Sequence, residues 1–302
     1  MTFLVFAYNE AKRIRNVLDH AKNWAKEIVV LDKGSTDGTL EICRSYGDCV
    51  RVVPIPYTER GHEDYATLIP QNTTEDWIFL STCSEVPTRK VIQKCQEVLE
   101  AQADQLDLIY VPRLMYFFGH HRDPDNGGIC YYPFLFHRDR TLITNEIHNN
   151  FHPRDPARTC RIPYAEDCCV HHFTHPTVSS FWLASLSYFA VENEKDGPPE
   201  KTIRECFKNI EKLSKKMLLE GENWLPFYCA LASYEMGKAL SVWEKAQGGP
   251  ERGVQIYEQL AQHLIAREWS QTPSTQAARF FPGNQSPLIL NLRKRKLALT
   301  RR

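Results

Sequence analysis

Two rhythms of apolar and polar positions run along the first half of the chain. Phe3 to Ala7 is an unbroken apolar run that ends at Tyr8, Asn9 and Glu10, and Ile28 to Leu31 is a second, closed by Asp32 and a glycine-rich turn. Short runs rich in β-branched residues and stopped by turn formers predict buried strands. Between them Ile14, Val17, Leu18, Ala21 and Ala25 recur at helical spacing, which predicts an amphipathic helix capped by Asn9. A helix over about 39–46 and a strand over Val50–Val53 continue the order, which predicts a parallel sheet with right-handed crossovers. The first strand starts almost at Met1, so nothing is expected to precede this domain. Asp76–Leu80 reads as a further buried strand, Val91–Leu99 as a helix and Leu106–Pro112 as a strand. After Pro176 the spacing is helical throughout, over 179–191, 199–220, 225–246 and 251–266, with Gly-Pro pairs at 197–198 and 249–250 marking joints.

The stretch Glu27–Thr39, EIVVLDKGSTDGT, places a carboxylate and two glycines at the carboxyl end of a strand. Ligands bind at that edge in an open α/β sheet, because loops there aim backbone N–H groups and short polar side chains outward. Ser35, Thr36 and Asp37 can equally well cap the following helix, and both roles stay open. No G-x-G-x-x-G or Walker pattern is present, which argues against dinucleotide and NTPase chemistry.

Charge changes the picture little. Lys+Arg and Asp+Glu stand at 37 each in 302 residues, so no global field draws the chain to nucleic acid or membrane, and partners must be argued locally. Ten cysteines lie scattered without a Cys-x-x-Cys pair, which fits a reduced, cytoplasmic protein with mostly buried thiols. No apolar run approaches the roughly 20 residues of a membrane span.

FAYNEAKRIRNVL followed by EIVVLDKGSTDGTLEIC resembles the opening of family 2 glycosyltransferases of the GT-A fold. The resemblance implies a Rossmann-like mixed α/β sheet over 1–176, a C-terminal all-helical extension over 177–270 and a final segment over 271–302. It implies that Ala7, Tyr8, Asn9, Glu10, Asp32, Ser35 and Asp37 hold the nucleoside of a sugar nucleotide, a UDP-sugar foremost. A strand-end Asp can accept an imide N–H of the base, and a Tyr ring can stack on it. DWIFL at 76–80 matches the strand that precedes the family's metal-binding D-x-D motif, but Ser81, Thr82 and Cys83 stand in its place. Serine and cysteine do not supply the charge that holds a hard divalent cation, Mg²⁺ or Mn²⁺, against a diphosphate. Three alternatives follow: a relocated metal on Glu85 and His172, neutralisation by protein cations, or lost activity.

Further along, FLFHR at 134–138, IHN at 147–149 and VHH at 170–172 resemble a subset that includes lipopolysaccharide-core glucosyltransferases. Asn149 replaces the subset's usual Glu. An inverting transfer needs a general base for the acceptor proton and positive charge at the leaving diphosphate. Glu146, His148 and Asp167 are the base candidates, and Arg113, Arg122 and Arg138 the diphosphate clamps. His171, His172 and His175 form the densest imidazole cluster, but successive strand side chains face opposite ways, so all three converge only across a turn. The acceptor class implied is a glycan, glycolipid or peptide. Phe227–Ala246 resembles one tetratricopeptide-type hairpin, which suits a buttress or a homodimer contact. LRKRKLALTRR at the end can touch anionic lipid as a peripheral contact.

Overall fold

The computed structural model describes residues 1–58, 62–121, 128–145, 150–192, 198–220 and 225–269. Glu146, His148 and Arg122, with the whole basic tail, lie outside the described residues. The elements follow in the order β1 (Thr2–Ala7), α1 (Ile14–Ala21), β2 (Glu27–Asp32), α2 (Thr39–Arg44), β3 (Arg51–Pro54), β4 (Trp77–Thr82), β5 (Glu85–Pro87), α3 (Arg89–Gln102), β6 (Leu108–Phe117) and β7 (His120–His121). Then come β8 (Ile129–His137), β9 (Thr141–Ile143), β10 (Phe151–Pro153), β11 (Thr159–Arg161), β12 (Val170–His175), α4 (Val178–Glu192), α5 (Pro199–Glu220), α6 (Leu225–Ala246) and α7 (Gly249–Trp269).

The main sheet runs β3-β2-β1-β4-β8-β6-β12-β5, with β7 and β11 also paired to β6. β1, β2, β3 and β4 are mutually parallel, as the alternation of apolar runs and helices predicts, whereas β8 is antiparallel to both β4 and β6. The fold is therefore mixed α/β. Side-chain alternation gives the sheet two cores. Phe3, Val5, Ile28, Val30 and Phe79 face α1 and α3, while Leu4, Phe6, Val29, Leu31 and Ile78 face Tyr65, Ala66 and Ile69 from the segment before β4. That segment is 3₁₀-helical over His62–Leu68.

Helix α1 is shorter than its apolar stripe suggests. It begins at Ile14 with Arg13 as N-cap, because Asn9 takes a left-handed conformation (φ +54°) and gives its side chain to a neighbouring loop. Asparagine tolerates that conformation better than most residues. Helix α3 does have the expected kind of start, with the Thr88 hydroxyl accepting from the Val91 N–H at 3.3 Å.

The chain divides into two compact units. The first comprises Met1–Val191 with Glu220–Ala230, and so takes in most of α4 and the first turns of α6. The second contains most of α5, the rest of α6 and α7. Inside it Ile203 and Cys206 of α5 pack on Ala239 and Val242 of α6, whereas Phe207, Trp243, Val254 and Tyr257 of the predicted apolar stripes are exposed. All ten cysteines are free and six of them are buried. Among the described residues no helix is long and apolar enough to cross a membrane.

Two arginines fasten the amino edge of the sheet. Buried Asp107, just before β6, accepts from Arg158 Nε at 2.7 Å and lies 3.4 Å from Arg140 Nε, while its carbonyl accepts from the His137 N–H and the Thr141 hydroxyl. Removing one side of a buried pair leaves charge uncompensated. Asp107→Ala is expected to lower unfolding free energy by about 3 kcal/mol in urea titrations; a loss under about 1 kcal/mol would show the cluster to be solvated.

Candidate active site

Parallel pairing sets Ala7 beside Asp32, so the loops that leave β1 and β2 emerge side by side at the carboxyl edge. They are laced together. The Lys33 N–H donates to the Ala7 carbonyl at 2.9 Å, the Asn9 N–H to Ser35 Oγ at 2.9 Å, the Thr36 N–H to Asn9 Oδ1 at 2.8 Å, the Glu10 N–H to Thr39 Oγ1 at 2.7 Å and the Ala11 N–H to Asp37 Oδ2 at 3.0 Å. Asp32 is buried and anchors the second loop from inside. Its Oδ2 accepts the Gly34 and Ser35 N–H groups, each at 2.9 Å, and its Oδ1 accepts the Ser35 hydroxyl at 2.5 Å. Gly34 and Gly38 both carry positive φ, at +84° and +95°, which explains the two glycines in the turn.

The polar residues expected to face a nucleoside are thus engaged with one another. Asn9, Ser35 and Asp37 build the crevice wall, and Asp32 reaches a base only with what its three donors leave of its acceptor capacity. Open surface at this edge is aromatic. Tyr8 is 42% exposed and Tyr57 56%, their ring centroids 4.8 Å apart, with Lys33 Nζ 5.5 Å from the Tyr57 ring. The sequence reading includes Tyr8 and omits Tyr57, although an aromatic residue three positions past the end of β3 is the signal that would have marked it.

The turn over 81–84, which the resemblance sets against the D-x-D motif, is buried at Ser81 and Cys83 and partly open at Thr82 and Ser84, whose hydroxyls lie 2.9 Å apart. Ser81 and Cys83 are buried on the α1 side of the sheet, and the Cys83 thiol donates to the Phe6 carbonyl at 3.7 Å. Burial pushes that thiol well above its ordinary pKa, with the Glu10 charge adding to the rise. Glu85 is buried as well. Its Oε2 accepts the Thr82 N–H at 2.9 Å and lies 3.4 Å from Ser81 Oγ. Its Oε1 faces Arg113 Nη1 at 3.4 Å and His172 Nδ1 at 3.7 Å, in a register where His172 stands opposite both Glu85 and Met115. Arg113 also donates through Nε to Cys130 Sγ at 3.2 Å and lies over the Tyr132 ring at 4.7 Å. Beside this cluster Arg13 grips Glu10 with two hydrogen bonds of 2.7 and 2.6 Å.

Glu85 and His172 are brought together, as a shared metal site requires, but the set does not fit a hard divalent cation. The carboxylate oxygen facing His172 also faces a guanidinium, the other oxygen holds a backbone N–H, and Cys83 is a protonated thiol. Among the described residues no group of three or more His, Cys, Asp or Glu could hold a metal ion. His171 turns to the other face, where the Tyr116 hydroxyl is 3.0 Å from its Nδ1, whereas a register shift after Phe173 returns His175 to the face of His172, where it packs against Phe117 and Phe181.

Two further candidates stand apart from this cluster. Asp167 precedes β12, whose Val170 pairs with Arg113, so it lies on the amino side of the cluster, and its carboxylate takes Lys90 Nζ at 2.9 and 3.0 Å. Arg138 lies at the amino end of β4, donating to the Thr73 and Thr74 carbonyls at 3.1 Å each, and no diphosphate at the opposite edge meets it.

Asn9→Ala and Ser35→Ala each remove one rung of the lacing and are expected to cost about 1 kcal/mol of stability. Because the rungs share one chain of hydrogen bonds, the double variant should lose less than the sum. Strict additivity in denaturant melts would show the rungs to be independent. Burial holds the His172 imidazole down at about 4, against an upward pull from Glu85. The unfolded chain therefore takes up a proton there that the folded one refuses, and stability falls as pH drops from about 6.5 toward 4. His172→Gln should flatten that slope, and an unchanged slope would assign it to other groups.

The chain matches the family described as Glycosyl transferase family 2 over residues 2–156. It is 25% identical over 203 residues to an uncharacterized glycosyltransferase of Rickettsia bellii, covering 64% of this chain and 65% of that one. It is 30% identical over 123 residues to the SPbeta prophage-derived glycosyltransferase SunS of Bacillus subtilis, covering 38% and 28%. The chain thus spans less than two thirds of the length of these relatives. Among solved structures, S. aureus TarS 1-349 aligns with a TM-score of 0.40 at 12% identity, over 62% of this chain and 64% of that one. With a family match that covers half of its length, from the first strand to beyond the last residues of β10, the chain belongs to glycosyl transferase family 2.

Proposed function

We propose that the protein is an inverting glycosyltransferase that moves a sugar from a nucleotide sugar, a UDP-sugar foremost, to a glycan, glycolipid or peptide acceptor. The observation that carries this reading is the pair of laced loops at the ends of β1 and β2, which in a family 2 chain present Tyr8 beside Tyr57 at the carboxyl edge. A heterocycle stacks on such a surface, and the polar lacing holds the surface in place before the ligand arrives. Ala7, Glu10 and Asp32 complete the floor of that crevice, and Ser81 and Cys83 lie beneath the diphosphate.

The acceptor's general base is assigned to Glu146, His148 or Asp167. The helices after β12 serve as a buttress or a contact with a second copy, and the basic tail as a peripheral contact with anionic surfaces. A second reading, a member of the family that binds a nucleotide sugar without transferring it, is favoured by one observation, the buried Ser81 and Cys83 in place of aspartates.

UDP, GDP and dTDP are to be screened by thermal shift. One of them should raise the melting temperature, since a ligand at about 100 times its Kd contributes about 2.7 kcal/mol to the folded state. Tyr8→Ala should remove the shift without unfolding the chain, because Tyr8 is exposed. Release of sugar from the matching donor separates the enzyme from the silent binder. In the active case Glu146→Gln or His148→Asn should lower kcat by about 10²-fold or more. Equal turnover in both variants would move the base elsewhere.

A further inference from the structure

A diphosphate leaving with its charge needs positive charge where the bond breaks, and the D-x-D place of this chain provides none of the usual ligands. What it provides is two guanidinium groups set around it. Arg113 meets Glu85, and the other oxygen of that carboxylate holds the Thr82 N–H, in the middle of the Ser81–Cys83 turn. Arg13 stands immediately before α1, whose Ile14 shares a core with Cys83 and which lies against β5. Two aspartates with one divalent cation carry no net charge, and neither do Glu10 and Glu85 with Arg13 and Arg113. The electrostatic sum of a metal-loaded site is reproduced by side chains alone.

The donors point the same way. Arg113 uses Nε on Cys130 and Nη1 on Glu85, and Arg13 uses Nε and Nη2 on Glu10. Nη2 of Arg113 and Nη1 of Arg13 make no hydrogen bond among the described residues. Planar guanidinium forks suit phosphate oxygens, and both are held in place before any ligand arrives. The Cys130 sulfur and the Tyr132 ring fix the Arg113 plane, and the nearby Nδ1 of His172 is buried with no partner.

We propose that this chain neutralises the diphosphate of its nucleotide with Arg113 and Arg13 in place of a divalent cation, so that binding and transfer run without metal. The proposal rests on the nucleotide-sugar reading above. Its test is calorimetry on the full chain with UDP against UMP, and GDP against GMP, first in EDTA and then in Mn²⁺. In EDTA the diphosphate should bind about tenfold or more tightly than the monophosphate, the scale of one charge-assisted contact, and Mn²⁺ should leave the ratio unchanged.

Arg113→Met should cut the diphosphate preference by about half its logarithm or more, the remainder coming from Arg13, while leaving the monophosphate's affinity within about threefold. Because that variant strands Glu85, the double variant Arg113→Met with Glu85→Gln removes both charges at once and should behave alike, whereas Arg113→Lys should keep part of the preference. Diphosphate affinity that vanishes in EDTA and returns with Mn²⁺ overturns the proposal, as does a preference that survives undiminished in the folded double variant. If the metal-free preference holds and no sugar is transferred to any acceptor, the transferase reading fails and the cation assignment stands. If the wild type binds no nucleotide at all, both fall together.

Discussion

Backbone N–H groups at the carboxyl edge of the sheet must find acceptors, and in this chain they find them across the gap between two loops. Five N–H groups, those of Asn9, Glu10, Ala11, Lys33 and Thr36, are satisfied by the opposite loop, and two more by Asp32 from below. Each net hydrogen bond contributes only about 1 kcal/mol, and those of Asn9, Ala11 and Thr36 are solvent-exposed, so the hold comes from their number. Relative positions of β1 and β2 are therefore over-determined, and the strained φ of Asn9 persists because its neighbours hold it. Tyr8, next in the chain, inherits that rigidity and stands in solvent at a fixed place.

Rigidity of this kind has a functional consequence. A ring that must be ordered on binding subtracts from affinity, whereas a ring already held against Tyr57 does not. The same reasoning extends to the charged cluster, where Glu85 is fixed by the Thr82 N–H and Arg113 by Glu85, Cys130 and Tyr132. Electrostatic stabilisation is most effective when the charges do not have to reorganise as the reaction proceeds.

Much of this was legible in the chain. The apolar runs ending at Ala7 and Asp32, the helical spacing of Ile14 to Ala21 and the helices Pro199–Glu220 and Leu225–Ala246 all follow from periodicity. Opposite orientations of His171 and His172 follow from strand alternation, and the structure bears them out. Contacts set by pairing between distant strands were not legible. Nothing local links Glu85 to Arg113, 28 positions apart, because the meeting depends on β5 turning back to pair with β12. For the same reason the contact of Asp167, one of the base candidates, with Lys90, 77 positions away, is not visible in the sequence. Asn9 read as a helix cap because capping is a local rule, and its acceptor was claimed by a loop 27 positions away.

In the metal-free reading proposed above, the neutral Ser81 and Cys83 and the half-buried Arg113 belong together. Carboxylates at positions 81 and 83 would set two further negative charges at buried sites beside Glu85 and Glu10, whose own charge is already met by Arg113 and Arg13. Without a cation those charges would cost several kcal/mol each. With a cation, the guanidinium of Arg113 would face it across a single carboxylate at low local dielectric. A site can be built around a metal or around Arg113, and the neutral Ser81 and Cys83 are what the second choice requires.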